Sequence, residues 1–377
     1  MRIADQKGMT LVEILVSLVV LLIVIGGAGA AYLKLLKGFK TQSKVSESYT
    51  ENLAARELLR YDIEMAGYGL PYDLTNLSSP KYNEAVSNGA VSPDPPDPAS
   101  FNDAPDNIPR PFAFSDNQGQ NSSDVLVIKS QAAGINKTSR KWSILYYDSA
   151  TSQWKIKKWN NTEQDFGNPD RFIILDTSRA LQKTSTNWYF TFLAAYYSDA
   201  SALAIPGTTA NLNLVYGVDP DTNLRMPFNR VDYYLKKPDS NFPSRCYENS
   251  YILYRSTINQ GDGARNEEPL MDCVMDFQVA FGLDTDGDRN MEPWITDLNT
   301  IADTNGNGTA DEIRNQVRQV SVSILFHEGR KDDTFQFSGS LNLSDVAALG
   351  SFTPTGDAVH YRWKVLQLAI KPMNLME

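Results

Sequence analysis

From Ile14 to Leu33 the chain runs for twenty residues without a charged side chain, bracketed by Glu13 and Lys34. As a helix such a run rises about 30 Å, enough to cross the hydrocarbon core of a bilayer. Beyond Lys34 the composition turns polar, yet apolar residues keep helical spacing: Val45, Tyr49, Leu53, then Leu59, Ile63 and Ala66. Arg56 interrupts this stripe and is placed at its edge or snorkelling. No proline occurs from Met9 to Leu70, and Gly67-Tyr68-Gly69-Leu70-Pro71 reads as a stop. The pattern predicts one helix over residues 9–66, roughly 87 Å long. Its first half, about 14–33, suits a membrane, and its second half suits a protein surface. Gly26, Gly27 and Gly29 either soften the apolar half or let helices approach closely within the bilayer.

Residues 67–123 read as a proline-rich loop region. Nine of the nineteen prolines lie between 71 and 111, including Pro93-Asp94-Pro95-Pro96-Asp97-Pro98, which predicts an extended, poorly packed and solvated connection. From Asp124 to the end, short strand patterns follow one another. Val125–Ile128, Trp142–Tyr147, Trp154–Trp159 and Phe172–Leu175 are bounded by Asn, Ser, Gly and Asp. Cys273, Met275, Phe277, Val279 and Phe281 alternate with Val274, Asp276, Gln278 and Ala280, and Val320, Val322, Ile324 and Phe326 alternate with their neighbours. Tyr361–Ile370 is apolar on both faces, which predicts a strand inside a sheet. The expected architecture is α+β: a long amino-terminal helix packed on an antiparallel, β-rich head over residues 124–377.

Composition narrows the function. A formal net charge of -10 gives no general basic surface for nucleic acid. The two histidines, His327 and His360, are far apart, and no GxSxG, P-loop, HExxH or GxGxxG pattern is present. No catalytic residue is assigned and no enzyme is expected. The eighteen tyrosines and six tryptophans are read as core and half-buried strand positions in preference to a sugar-binding platform.

Glu13 is the anomaly, because a carboxylate inside an apolar spanning segment is costly and calls for a partner. Arg2 and Lys7 keep the leader on the cytoplasmic side and send the body across. An ordinary signal peptide cut after Ala28-Gly29-Ala30, before Ala31, and a plain signal anchor both fit the apolar run. Neither gives Glu13 a use, and a cut at Ala30 leaves unexplained why the helical pattern continues through it. Lys7-Gly8-Met9-Thr10-Leu11-Val12-Glu13 resembles the signal of type IV prepilins and type II secretion pseudopilins, although most members have Phe where this chain has Met9. The resemblance implies that prepilin peptidase cuts after Gly8, removing residues 1–8, that Met9 is then N-methylated, and that the apolar helix is kept. It further implies that Glu13 pairs with the amino terminus of a neighbouring subunit during assembly. Location would be the inner membrane, single-pass with the head in the periplasm, and then the pilus or cell surface.

With an exported head, Cys246 and Cys273 are expected as a disulfide; buried free thiols are the reading for a cytosolic chain. The bridge encloses 28 residues, worth about 3.5 kcal/mol by loop closure. Two acidic stretches space oxygen-bearing side chains every second residue. "DTDGDRN" carries Asp284, Asp286 and Asp288, and "DTNGNGTADE" carries Asp303, Asn305, Asn307 and Asp311. Such spacing suits calcium, a hard ion needing six to eight oxygens. Neither is an EF-hand: Arg314 stands at the twelfth position of the second, so Asp311 or Glu312 must close the shell. The same residues also build turns without metal.

"RELLRYDIEMAGYGL" (56–70), "RVDYYL" (230–235), "DCVMDFQVAFGLDTDGD" (272–288) and "YRWKVLQLAIKPMNL" (361–375) resemble PilW-type minor pilins; residues 71–225 carry little that matches. The resemblance implies a minor pilin that initiates or caps a type IV pilus, with roles in twitching motility, adhesion or DNA uptake. Implied partners are other minor pilins, the major pilin and the inner-membrane assembly platform. Two alternatives stay open: a J-type minor pseudopilin of type II secretion, and an exported calcium-dependent adhesive domain.

Overall fold

The computed structural model describes residues 10–74, 81–89, 95–183, 187–197, 212–220, 222–304, 309–346 and 349–375, with the backbone alone at 37, 38 and 40–51. The chain divides into two units, residues 1–51 and 52–377. Helix α1 spans Leu11–Glu64, and in the first unit its side chains from Leu11 to Leu36 are all exposed. The expected end at Ala66 comes two residues early, at Glu64, followed by turn. Gly67 stops it at φ +79°, and a Cβ there would meet Leu375 Cδ2 at 2.7 Å.

The second unit holds fifteen strands among its described residues: β1 (Phe112–Ser115), β2 (Val125–Ser130), β3 (Trp142–Asp148), β4 (Gln153–Ile156), β5 (Arg171–Leu175), β6 (Phe190–Thr191), β7 (Asn213–Asp219), β8 (Asn229–Lys236), β9 (Tyr251–Ile258), β10 (Arg265–Leu283), β11 (Trp294–Ile295), β12 (Val317–Glu328), β13 (Leu341–Asn342), β14 (Ser351–Phe352) and β15 (Arg362–Ile370). A short helix, α2 (Ala310–Gln316), precedes β12. The main sheet runs β1-β2-β8-β9-β10-β12-β15, with β11 paired to β10. A second sheet runs β4-β3-β7-β5-β6, and β13 and β14 form a ribbon. Every pairing between these strands is antiparallel.

One core joins the end of α1 to the main sheet. Ala55, Leu59, Ile63 and Ala66 pack with residues of β1, β2, β8, β10, β12 and β15. Arg56 is exposed at the edge of that helical face, whereas Leu53 is 46% exposed and lies outside the core. The alternation in β12 works as the sequence suggests: Val320, Val322, Ile324 and Phe326 all face this core.

Three expectations change. In β10 the alternation is broken by a bulge between Val274 and Asp276. Val274 therefore faces the same core as Phe277, Val279 and Phe281, while Met275 packs with Leu325 and Trp363 on the opposite face. β15 is an end strand of the sheet, not an interior one. It is apolar on both faces because Leu368 and Ile370 meet the main core while Trp363 and Val365 meet a satellite cluster under residues 337–361. The proline-rich region, finally, is packed where it is described. Tyr82, Glu84, Phe101 and Asp103 are buried, and β1 brings the sheet forward to Phe112, ahead of the expected head boundary at 124.

Candidate functional sites

Thr10 precedes the first turn of α1, and Glu13 lies three residues on. The Thr10 N–H donates to Glu13 Oε2 at 2.9 Å and its hydroxyl to the same oxygen at 3.0 Å. The Glu13 N–H donates back to Thr10 Oγ1 at 3.3 Å. This is a capping box, which satisfies amides that a helix start leaves unpaired. The spacing Thr-x-x-Glu is visible in the sequence, where the resemblance gives the carboxylate only an intersubunit role. Glu13 thus has a use within its own chain as well. The apolar span covers Leu11–Leu36 with a mean hydropathy of 2.8 and none of it buried by protein. Gly26, Gly27 and Gly29 are helical, and open space surrounds each. Gly8 and Met9, the cleavage and methylation positions, lie outside the described residues.

In the head, Cys246 and Cys273 are joined by a disulfide with Cα atoms 4.8 Å apart. Cys273 sits at φ +59°, just before the β10 bulge, so the bridge pins an irregular point of the strand. His327 of β12 lies beside it, with Tyr361 and Trp363 ring centroids at 4.5 and 5.0 Å. Burial holds the His327 imidazole down at about 4, neutral at pH 7.

Asp284, Asp286 and Asp288 bring carboxylate oxygens within 4.8 Å of one another at the end of β10. Each also caps its own turn: Asp284 Oδ1 accepts from the Gly287 N–H, Asp286 from Asp288 and Asp288 from Asn290. Arg318 stands 3.4 Å from Asp284 Oδ2. The second acidic stretch ends at the same corner, since the Asp284 N–H donates to Gln316 O at the end of α2. Asp311 lies inside α2 and pairs with Arg314, while Glu312 Oε1 accepts the Thr304 N–H. Glu312 Oε2 is buried with no hydrogen-bond partner among the described residues. Asp303 lies just ahead; Asn305 and Asn307 fall outside the described residues. The donors are all oxygens, which fits a hard cation.

Sequence reading missed a buried charge network. Lys129 Nζ of β2, fully buried, stands 2.7 Å from Glu84 Oε2 and 2.6 Å from Asp103 Oδ2. Arg230 of β8, also fully buried, pairs with Asp232 at 2.8 Å, reaches Glu84 at 3.4 Å and donates to Pro98 O. Arg110 meets Asp103 at 2.7 Å. Buried charges persist only when paired, so this network explains how a proline-rich segment is held against the sheet. "RVDYYL" supplies two of its members, Arg230 and Asp232, and also Tyr233, which bonds Asp62 of α1.

Among the described residues no cleft assembles a nucleophile, base and anion-binding group. A surface hollow of about 430 Å³, lined by Pro96, Asp97, Phe101, Arg110 and Phe114, is open to solvent.

Comparison with known families gives two matches. Residues 3–29 match the prokaryotic N-terminal methylation motif, and residues 232–374 match the type IV pilus-assembly protein W family. Searches of curated proteins and of solved structures returned no match. The first match covers the capping box and the apolar span as far as Gly29; the second covers the last four residues of RVDYYL in β8, then β9, β10, β12, β15 and the disulfide. Together they point to a structural pilus component that interacts with other pilus components and is processed by prepilin peptidase. An amino terminus similar to the methylation motif and a carboxy-terminal segment similar to the type IV pilus-assembly protein W family together support a type IV prepilin-like minor pilin.

Proposed function

We propose that this minor pilin helps initiate or cap a type IV pilus, its head exported to the periplasm and its helix shared with neighbouring subunits. The observation that carries the reading is the pairing of an uncovered apolar span with Glu13 at its start. The bonds to Thr10 fall on Oε2, so Oε1 stands outside the capping pair. Cleavage after Gly8 would create an ammonium on Met9, four residues from Glu13. In assembly, Oε1 takes the ammonium of an adjacent subunit, in surroundings where low dielectric strengthens the pair. Neighbouring minor pilins, the major pilin and the inner-membrane platform are the partners this requires. The match over residues 232–374 favours a pilus over the J-type pseudopilin of type II secretion. Service in twitching motility, adhesion or DNA uptake would follow from the pilus it joins.

Amino-terminal sequencing of the native protein tests the reading. N-methyl-Met9 is the expected terminus. An Ala31 terminus would mean that the apolar helix is removed, and would replace the pilin reading with a released adhesive head.

A second proposal concerns the acidic corner. Asp284, Asp286 and Asp288, with Glu312 Oε2 and the residues from Asp303 to Asp311, would hold calcium and tie the end of β10 to the start of β12. Three carboxylates this close repel one another unless a cation or protons intervene. That proximity supports the reading.

A further inference from the structure

The corner beside the disulfide has a chemistry that a structural bridge does not need. Cys246, Cys273 and His327 each offer one ligand atom, and the three atoms lie within 4.8 Å of one another. All three side chains are buried, none more than 7% exposed. Rings of Tyr247, Tyr361 and Trp363 close the site from solvent. The His327 Nε2 accepts the Tyr247 N–H at 2.8 Å. A neutral imidazole that accepts at Nε2 carries its proton on Nδ1. A backbone hydrogen bond with Glu328 also reaches the ring, so the lone pair at Nε2 is the one available to a ligand.

We propose that the reduced head binds one thiophilic d10 ion between Cys246 Sγ, Cys273 Sγ and His327 Nε2, and that closing the disulfide expels it. The two sulfurs of the opened bridge are soft donors and select Cu+ or Zn2+ over hard ions such as calcium. Three buried donors, with no fourth His, Cys, Asp or Glu beside them among the described residues, favour Cu+, which three ligands satisfy, over Zn2+, which seeks four. Nε2 holds the ring's lone pair and exchanges the Tyr247 N–H for the ion when the sulfurs part. Tyr247 follows Cys246 directly, so movement of that cysteine moves the competing N–H with it.

The redox step balances through thiol–disulfide exchange. In the oxidising direction the two metal-bound thiolates pass two electrons to the disulfide of an exchange partner. The bond between Cys246 Sγ and Cys273 Sγ forms, the partner's S–S bond breaks, and the partner leaves as a dithiol after taking two protons from solvent. The ion departs, and Nε2 returns to the Tyr247 N–H. The reverse step takes its electrons from a dithiol. Binding and bridging are thus mutually exclusive states of the same three residues.

Metal titration of the full chain in detergent micelles tests this, comparing protein as oxidised with protein reduced by a phosphine and desalted without oxygen. Cu+ is presented from a chromophoric chelator and Zn2+ against a zinc dye. The expected result is one ion per reduced chain and none per oxidised chain, with X-ray absorption showing two sulfurs and one nitrogen around it. His327→Ala should weaken binding by more than about tenfold, the loss that even an outer-shell partner produces. Tighter binding of Zn2+ than of Cu+ would support the site and assign it to zinc. No stoichiometric uptake on reduction, equal uptake by the oxidised chain, or coordination lacking nitrogen would overturn the proposal. The redox contrast and the absorption spectrum need no mutant, so the test stands if His327→Ala fails to fold. It is also independent of the pilus reading, which amino-terminal sequencing decides.

Discussion

Arg255 of β9 and Asp62 of α1, 193 residues apart, form a buried ion pair: Arg255 Nε lies 2.7 Å from Asp62 Oδ2. The Tyr233 hydroxyl donates to the same oxygen at 2.6 Å, and Arg255 also donates to Ala133 O at 3.0 Å. A polar residue on the inner face of a helix is thereby fixed to one position on the sheet. Arg255→Met should leave Asp62 buried without its partner and cost about 3–5 kcal/mol. The double variant with Asp62→Leu should recover much of that loss, because a paired deletion removes the orphaned charge. Urea unfolding of the full chain in detergent checks both; equal losses in the single and double variants would show that the pair does not act as a unit.

The Lys129 network predicts a more local effect. Lys129→Met leaves Glu84 and Asp103 without their shared ammonium in a dry site and should cost about 3–5 kcal/mol. The segment 81–111 should become the first site of proteolytic cutting. Limited proteolysis followed by mass spectrometry reads this, and cutting that begins elsewhere would contradict it.

Asp276 gives the head a pH dependence. Burial pushes its carboxyl up to about 6, against hydrogen bonds from Gln278 and the Phe277 N–H. Its folded state holds a proton that the unfolded state, near 3.8, releases earlier. Its stabilising contribution is therefore complete below pH 4 and is lost as pH rises through 6, up to about 3 kcal/mol for two units. Asp276→Asn should flatten the melting temperature of the full chain between pH 4 and 7 relative to the parent. An unchanged slope would place the titration elsewhere.

Calcium at the acidic corner should raise the melting temperature of the full chain at millimolar concentration. Asp286→Asn with Asp288→Asn should abolish the shift. No shift in the parent chain, together with no calcium in the purified protein, would dismiss the ion.

Glu13 can be tested in two steps. Glu13→Gln keeps an oxygen for the Thr10 amide and so preserves the capped helix start, but it carries no charge. Glu13→Ala loses both. If the intersubunit pair drives assembly, both variants reach the membrane and neither enters pili at the normal level, measured by immunoblot of sheared filaments. Normal incorporation of Glu13→Gln would leave capping as the residue's role.

How much of this was legible follows from the range of each interaction. Helix α1 and β12 were readable because their periodicity is local: Leu59 and Ile63 sit one turn apart, and Val320, Val322 and Ile324 alternate. The β10 bulge was not, because the shift at Val274–Asp276 depends on partners in β9 and β12. The proline-rich segment misled for a related reason. Proline density reports a backbone without regular structure, but Glu84 and Asp103 are buried against Lys129 and Arg230, which lie far from them in sequence. The capping box was legible as Thr-x-x-Glu and was overlooked in favour of a longer-range role. The neighbourhood of His327 required β12, β10 and β15 to be side by side.

The end of α1 is held by residues near 375. The Met373 N–H and the Asn374 side chain both donate to Glu64 O, at 2.9 and 3.3 Å, and Leu375 fills the space beside Gly67. The sheet strand just before them, β15, completes the core on which that helix end rests. The head therefore closes by joining a segment synthesised early to one synthesised late. Its final folding has to wait for residues 373–375, with Asn374 lying 310 positions after Glu64. A chain interrupted before them would leave the Glu64 carbonyl and the space beside Gly67 without their partners, and the head unfinished.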